Sequence, residues 1–490
     1  MYSYKSKLYI YILLLSILIV VYGTTVISTI VGFILNELYF DKINVIAAAS
    51  GLLFVILSAL SLTSSRIYFT LLVFQIIAFP SAVDNFIPGV YFGSKSELHA
   101  SITPLFTHID IFILLGIIRG VLSKNRLILI DSNLLLVSVL VLFLSSIVNA
   151  FYSTDAQDFF LIVSGFMHLR YLIGLYILFS LYDPHAFTKQ FILGLIISVV
   201  FLFCEAIVFT NLNNLDRLTS GSLGNNTFGN IIACLTVFFY FISIKTKSIV
   251  FRLLLVVVIL IGVVTVIFSQ TRMALLAGFV LFCVVTFYLN RSAFRTILYL
   301  TVFFIVLGIS FIYLDAFSSN LGQRFDIIKV FSKIELNFPG SGRDIIEMEL
   351  TPETASILTR LQLYKTSFSM ITANPFFGIG SMRWDYYKAE YGFNEKVLLD
   401  THNGYLAIIS QFGIFSIIFL YFIYLRPLVI LRRIRFLDET GFYLILISIG
   451  MAICDLTNAG IYKHQVFGLL CLSTIVLIHL SYRNKFVQTV

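Results

Sequence analysis

Three stretches place a guanidinium or an imidazole beside residues that open helices, and each could handle an anion or a proton. Arg217 sits in DRLTSGSLGNNTFGN (Asp216 to Asn230), where Gly221, Gly224, Asn225 and Asn226 describe a tight turn running into an apolar segment. Backbone amides at such a helix start can join an arginine around an anion. Arg272 in SQTRMALLAG opens the next apolar segment but one, and its planar fork suits a single phosphate bidentately. His402-Asn403 in DTHNGYLAIISQFGIFS precedes a third. Near neutrality a histidine accepts a proton from a hydroxyl, and Asn403 could steady its ring or cap the helix that follows. Taken singly, each has a plainer explanation: a solvated turn, an arginine snorkelling to headgroups, a polar pair at a helix entry. Their weight comes from falling on one side of a membrane.

Other polar groups are less specific. Arg170 and His168 lie near the middle of an apolar run, where charge is expensive and should face the bundle interior or a hydrated cavity. Glu205 and Asp455 could pair with them, in which case the group is a structural ion pair. Arg360 precedes an amphipathic stretch and is as readily a solvated charge as a ligand. His99, His108, His185, His464 and His479 show no metal-site grouping. P-loop, dinucleotide-fingerprint, zincin, zinc-knuckle and hydrolase-elbow motifs are all missing, as is an Asp-x-Asp pair for a divalent cation on a nucleotide diphosphate. Any group transfer here is expected to be metal-free, to need no cofactor and to use no nucleotide-bound donor.

The elements that must position these residues are membrane helices. The chain has 490 residues, 59% of them hydrophobic and only 12% charged, far from the globular average of about half apolar and a quarter charged. That excludes a soluble enzyme, a disordered chain and a disulfide framework. A hydropathy window gives fourteen candidate spans, centred near Ile17, Leu53, Leu72, Leu114, Leu140, Tyr171, Ile197, Leu235, Leu260, Gly278, Ile305, Ile417, Ser448 and Ile475. The third and thirteenth are the weakest. The first follows Lys5 and Lys7, lacks a cleavage site and is expected to stay as a signal anchor. If the spans alternate, one side receives eighteen basic residues and the short loops of the other only five: Lys42, Lys95, Arg217, Arg272 and Lys463. This is a positive-inside pattern with both termini cytoplasmic. The net charge of +8 therefore encodes orientation, and no nucleic-acid partner is expected. The fold expected is an all-α polytopic bundle of about 12–14 transmembrane helices.

Residues 315–401 form one long extracytoplasmic segment between an N-terminal bundle (1–314) and the C-terminal spans (402–490). Nine basic against eleven acidic residues fall between Asp315 and Asp400. A structureless connector of that length would be unusual. TRLQLYKTSFSMITA (Thr359 to Ala373) has helical periodicity, and Asn374-Pro375 stops it before Gly378 and Gly380. The segment reads as a partly helical lid resting on the bundle.

In this order, the Arg217 turn ending in Asn226, the Thr271-Arg272 helix start, the Arg360 helix leading to NPFFGIG (Asn374 to Gly380), and HNGYL (His402 to Leu406) with Gly413 following resemble the O-antigen ligase and polysaccharide polymerase superfamily of bacterial inner-membrane glycosyltransferases. The resemblance covers Arg217 to about Tyr424 most strongly. It implies metal-independent transfer of a glycan from a polyprenyl-diphosphate carrier, on the outer face of the cytoplasmic membrane, to a glycan or lipid A core acceptor. Membrane lipid surrounds the site, and a chain-length regulator or flippase is a candidate partner. By the same resemblance Arg217 and Arg272 would hold the diphosphate, Arg360 would assist from the lid, and His402 would activate the acceptor hydroxyl, with Asn403, Asn226 and Arg170 in support. A transporter or flippase of lipid-linked sugars is the alternative. It calls for related halves and polar groups near the midplane.

Overall fold

The computed structural model describes residues 42–79, 89–92, 101–104, 107–123, 125, 127, 133–153, 159, 162, 165–183, 187–212, 218–220, 223, 225–290, 352–393, 401–433 and 439–489. The expected first and eleventh spans and Arg217, Gly221 and Gly224 lie outside them. Apolar runs too uniform to show an amphipathic face become helices because only a helix satisfies every backbone group within its own segment in lipid. In chain order they are α1 (Lys42–Ser61), α2 (Ser65–Ile77), α3 (His108–Leu122), α4 (Asn133–Phe151), α5 (Met167–Leu181), α6 (Thr188–Leu212), α7 (Asn225–Lys245), α8 (Ile249–Ser269) and α9 (Arg272–Asn290). Then follow α10 (Pro352–Ala373), the short α11 (Trp384–Tyr387), α12 (Gly404–Phe412), α13 (Ile417–Leu420), a π turn (Tyr421–Leu425), α14 (Arg426–Arg433), α15 (Glu439–Cys454) and α16 (His464–Thr489). Among the described residues five helices, α4 and α6 to α9, are long and apolar enough to cross a bilayer. The protein is an all-α, multi-pass membrane protein. One small departure is an antiparallel hairpin between α2 and α3, β1 (Gly89–Phe92) with β2 (Ser101–Pro104), paired from Gly89↔Pro104 to Phe92↔Ser101.

Burial sorts the helices into a centre and a rim. The spanning part of α7 is 83% buried, against 28% for α8 and for α9, so α7 is a core helix packed by α8, α9 and α15. On α8, Leu253, Val257, Leu260 and Val264 point outward, as lipid-facing side chains should. Local signals set several boundaries. Thr107 and Asp110 make a reciprocal capping box at the start of α3. Gln270, in the left-handed region at φ 53°, ends α8 so abruptly that α9 begins two residues later.

The segment 352–393 has a small core of its own, Leu363, Met370, Ile379, Trp384 and Phe393, separate from that of the bundle. Its helix α10 is longer than the Thr359 to Ala373 stretch legible as periodic. The turn after it is docked on the end of α12 by main-chain bonds: Ile379 N–H donates to the Ser410 carbonyl (2.9 Å), Gly380 N–H to that of Gln411 (2.9 Å), and Ile414 N–H to that of Pro375 (2.8 Å). Two glycines permit this approach. Gly413 has φ +79° and a Cβ there would lie 2.0 Å from the Phe376 carbonyl oxygen; Gly378 has φ +66° and its Cβ would lie 2.3 Å from the Gln411 carbonyl carbon. Gly413→Ala should therefore destabilise the protein by roughly 3 kcal/mol or more, combining the left-handed penalty with backbone overlap. Thermal unfolding and limited proteolysis of the 352–393 segment in detergent measure this, and an unaltered melting temperature with an unaltered digest would contradict it.

Candidate functional site

The twelfth expected span turns out to be two pieces. Gly413 breaks the helix, so the apolar run that could enter the membrane is Ile414–Ile430, while HNGYL begins the separate nine-residue α12. Asn403 caps α12, its side-chain oxygen accepting from Leu406 N–H at 2.9 Å while its amide donates to the Leu456 carbonyl at 2.9 Å. Gly404 N–H donates to the Asp455 carbonyl at 2.8 Å and the Tyr405 hydroxyl to that of Ala452 at 2.8 Å. The motif is thereby tied to the end of α15. A Cβ on Gly404 would come within 2.9 Å of the Asp455 side chain, which explains the glycine. Asn403→Ala should cost about 1 kcal/mol of cap stability, with Asn403→Ser recovering much of it; melting temperatures of the two variants in detergent compare them.

His402 itself is half-buried and holds φ 47°. Left-handed backbone at a non-glycine residue is uncommon, though histidine tolerates it better than most, and it tends to occur where function requires it. The conformation is held by its neighbours. The Thr401 hydroxyl donates to the Asn403 carbonyl at 2.8 Å, and the Tyr364 hydroxyl donates to the His402 carbonyl at 3.4 Å. Tyr364 comes from α10, one turn after Arg360. Burial raises its pKa, and the charge of Arg360 and a hydrogen bond with Asn403 pull it back. Arg360, Tyr364, His402 and Asn403 thus form one cluster.

The starts of α7 and α9 form a second cluster beside it. Gly229, on the first turns of α7, packs so closely on the α8–α9 corner that its Cβ would lie 2.6 Å from Ser269 Oγ and 2.7 Å from Thr271 Oγ1. Leu218 N–H donates to the Phe268 carbonyl at 3.0 Å, which ties the chain ahead of α7 to the corner that presents Arg272. The clusters are joined by Asn458, whose amide donates to Thr227 Oγ1 at 3.4 Å, three residues after Asp455. Asn226 is half-buried in the same first turn of α7. Arg272 at the start of α9, Asn226 at the start of α7 and Asn403 at the start of α12 therefore mark three neighbouring helix N-termini. None of these helices carries an acidic residue in its own first turn, so each end presents about half a positive charge, which at the α12 start lies beside the Asp455 side chain.

Residues 255–421 match the O-Antigen ligase family model. The match spans Arg272, Arg360, His402 and Asn403, while Arg217, Asn226 and Arg170 precede it. The match supports the superfamily of O-antigen ligases and polymerases and a membrane glycan ligase or polymerase type of activity. No curated protein matches this sequence.

Two expectations about buried charge need correction. Arg170 and His168 lie in the first turn of α5, not midway along a span. Arg170 Nε donates to Asp110 Oδ1 at 3.1 Å, so its partner is neither Glu205 nor Asp455. The starts of α3 and α5 lie at the same end of the bundle, and that adjacency is invisible over sixty residues of sequence. Glu205 instead accepts from Ser220 Oγ at 2.5 Å, and Asp455 accepts from the Tyr424 hydroxyl. Sequence reasoning passed over Tyr364 and Asp110. The first had a usable signal, since it lies four residues after Arg360 and so on the same helix face; Asp110 looks in sequence like an ordinary cap.

Proposed function

We propose that this protein transfers a glycan from a polyprenyl-diphosphate carrier to an acceptor hydroxyl on the outer face of the cytoplasmic membrane. The observation that carries the reading is the convergence of three helix N-termini, none with an acidic residue in its own first turn and one of them opened by Arg272, with a half-buried histidine in left-handed backbone. In this reading the leaving group is a lipid diphosphate whose negative charge grows as the glycosidic bond lengthens. Arg272, Arg217 and the backbone dipoles stabilise it most at that moment because they are fixed before the reaction. Arg360 adds charge from the 352–393 segment, which serves as a lid, and Asn226 supports the α7 helix start. Arg170 supports the site indirectly, through the α3–α5 contact.

His402 takes the proton of the acceptor hydroxyl as its oxygen attacks the anomeric carbon from the side opposite the diphosphate, so the configuration inverts. Protonation of the leaving group is unnecessary because a diphosphate leaves well on its own. The arginines and helix ends supply the charge that a metal would supply elsewhere, so transfer needs neither a metal nor a cofactor. The positive-inside distribution supports the outer face, because it puts the ends bearing Arg272 and His402 on the side poor in basic residues. Placement of Arg170 at a helix start takes away one of the three charges, with Glu205 and Asp455, that a transporter could use near the midplane.

The test is transfer from a polyprenyl-diphosphate oligosaccharide in isolated membranes with EDTA present. Longer carrier-linked chains would mark a polymerase, and product on a lipid A core a ligase. Absence of both products, with labelled lipid-linked sugar crossing vesicles instead, would replace the enzyme by a transporter.

A further inference from the structure

At the far end of α12 from His402 lies a cavity of about 340 Å³, bounded by the end of α4 and by the turn and short helix that follow α10. Its walls are aromatic and polar together: Tyr152, Tyr387 and Tyr391 with Asn149, Asn374 and Glu390. Much of this wall is prearranged. Asn374 donates to the Tyr391 hydroxyl at 2.9 Å, Asn149 donates to the Phe377 carbonyl at 3.0 Å, and the Arg383 guanidinium lies 5.5 Å from the Tyr387 ring centre. Arg383 also donates to the Ile379 carbonyl at 3.0 Å and to Asn149 Oδ1 at 3.5 Å. Its charge is spent on holding the wall. What faces the opening is different: the Tyr152 ring is 77% exposed, and the Glu390 carboxylate is exposed as well.

We propose that this cavity binds a sugar ring of the glycan, as a subsite separated from His402 by the length of α12. The inference rests on the transfer reading above. Ring faces accept the C–H side of a pyranose, while amide, hydroxyl and carboxylate groups around them match its hydroxyls. A phosphate is disfavoured by the exposed carboxylate, and an acyl chain by the polar wall. Nine helical residues rise about 14 Å, a span of a few sugar units. A glycan whose reacting end is at His402 therefore reaches the cavity without bending away. The bound ring can belong to the acceptor or to the donor-borne chain.

The protein carries its own reporter. Trp384, the only tryptophan, is buried as the first residue of α11, between the cavity-lining Arg383 and Tyr387 in sequence, and donates to Ser367 Oγ at 3.1 Å. The experiment titrates detergent-solubilised full-length protein with carrier-free oligosaccharides released from the source organism's surface polysaccharide, reading Trp384 emission. A saturable change is expected, with Tyr152→Ala and Glu390→Gln each weakening it about tenfold, as loss of one well-made contact does. In transfer assays the same variants should raise KM for the acceptor if the ring is acceptor-borne, and for the lipid-linked donor otherwise. Absence of a saturable change would overturn the proposal, as would variants that bind like wild type and lose only thermal stability, which would make these rings membrane-interface anchors. Failure of titration in a protein that still transfers glycan removes the subsite alone. Saturable binding in a protein that transfers nothing removes the transfer reading alone.

Discussion

His402→Asn should reduce glycan transfer by about two to four orders of magnitude, the contribution typical of a positioned general base. Asparagine is the informative replacement because it is among the non-glycine residues that tolerate left-handed backbone best, so the turn between Thr401 and Asn403 keeps its shape. His402→Ala removes the same imidazole but adds strain at φ 47°, and it should therefore lose both rate and some stability. Comparison of the two separates chemistry from folding. Wild-type turnover in His402→Asn protein with an unchanged Trp384 spectrum would remove the base assignment. A base at this position also predicts that activity falls on acidification, because only the neutral imidazole can accept the hydroxyl proton.

Arg272→Ala should cost about 10²–10³-fold in kcat, the loss seen when one preorganised charge-stabilising donor is removed. The loss should fall on kcat more than on KM, because charge accumulates on the diphosphate as the bond breaks and the guanidinium is worth most then. Arg272→Lys should recover only part of the rate: it keeps the charge and gives up the bidentate fork. A rise in KM with kcat intact would reassign Arg272 to holding the carrier in its ground state, and no change in either would leave it as a headgroup contact.

Most of the helices were legible because a bilayer allows little else: runs near Leu140, Leu235 and Leu260 each became one. Arg272 stood out for a different reason, since a basic residue on the side poor in positive charge needs an explanation, and HNGYL stood out only as a polar pair entering a helix. What stayed hidden was set by contact between distant segments. The Arg170–Asp110 pair depends on which helix starts are neighbours. The break at Gly413 depends on the 374–380 turn approaching too closely for a Cβ, and a lone glycine in an apolar run carries no such message. The β1–β2 hairpin, short and flanked by polar residues, had no periodic pattern long enough to read.

The 374–380 turn meets α12 chiefly through backbone amides and carbonyls, contributed by Ile379, Gly380 and Ile414 on one side of each bond and Ser410, Gln411 and Pro375 on the other. Bonds of this kind do not depend on side-chain identity. Side chains of the turn and of α12 can therefore change while the attachment persists, provided that the two glycines remain. The surface this segment presents is then separable from the anchorage that holds it.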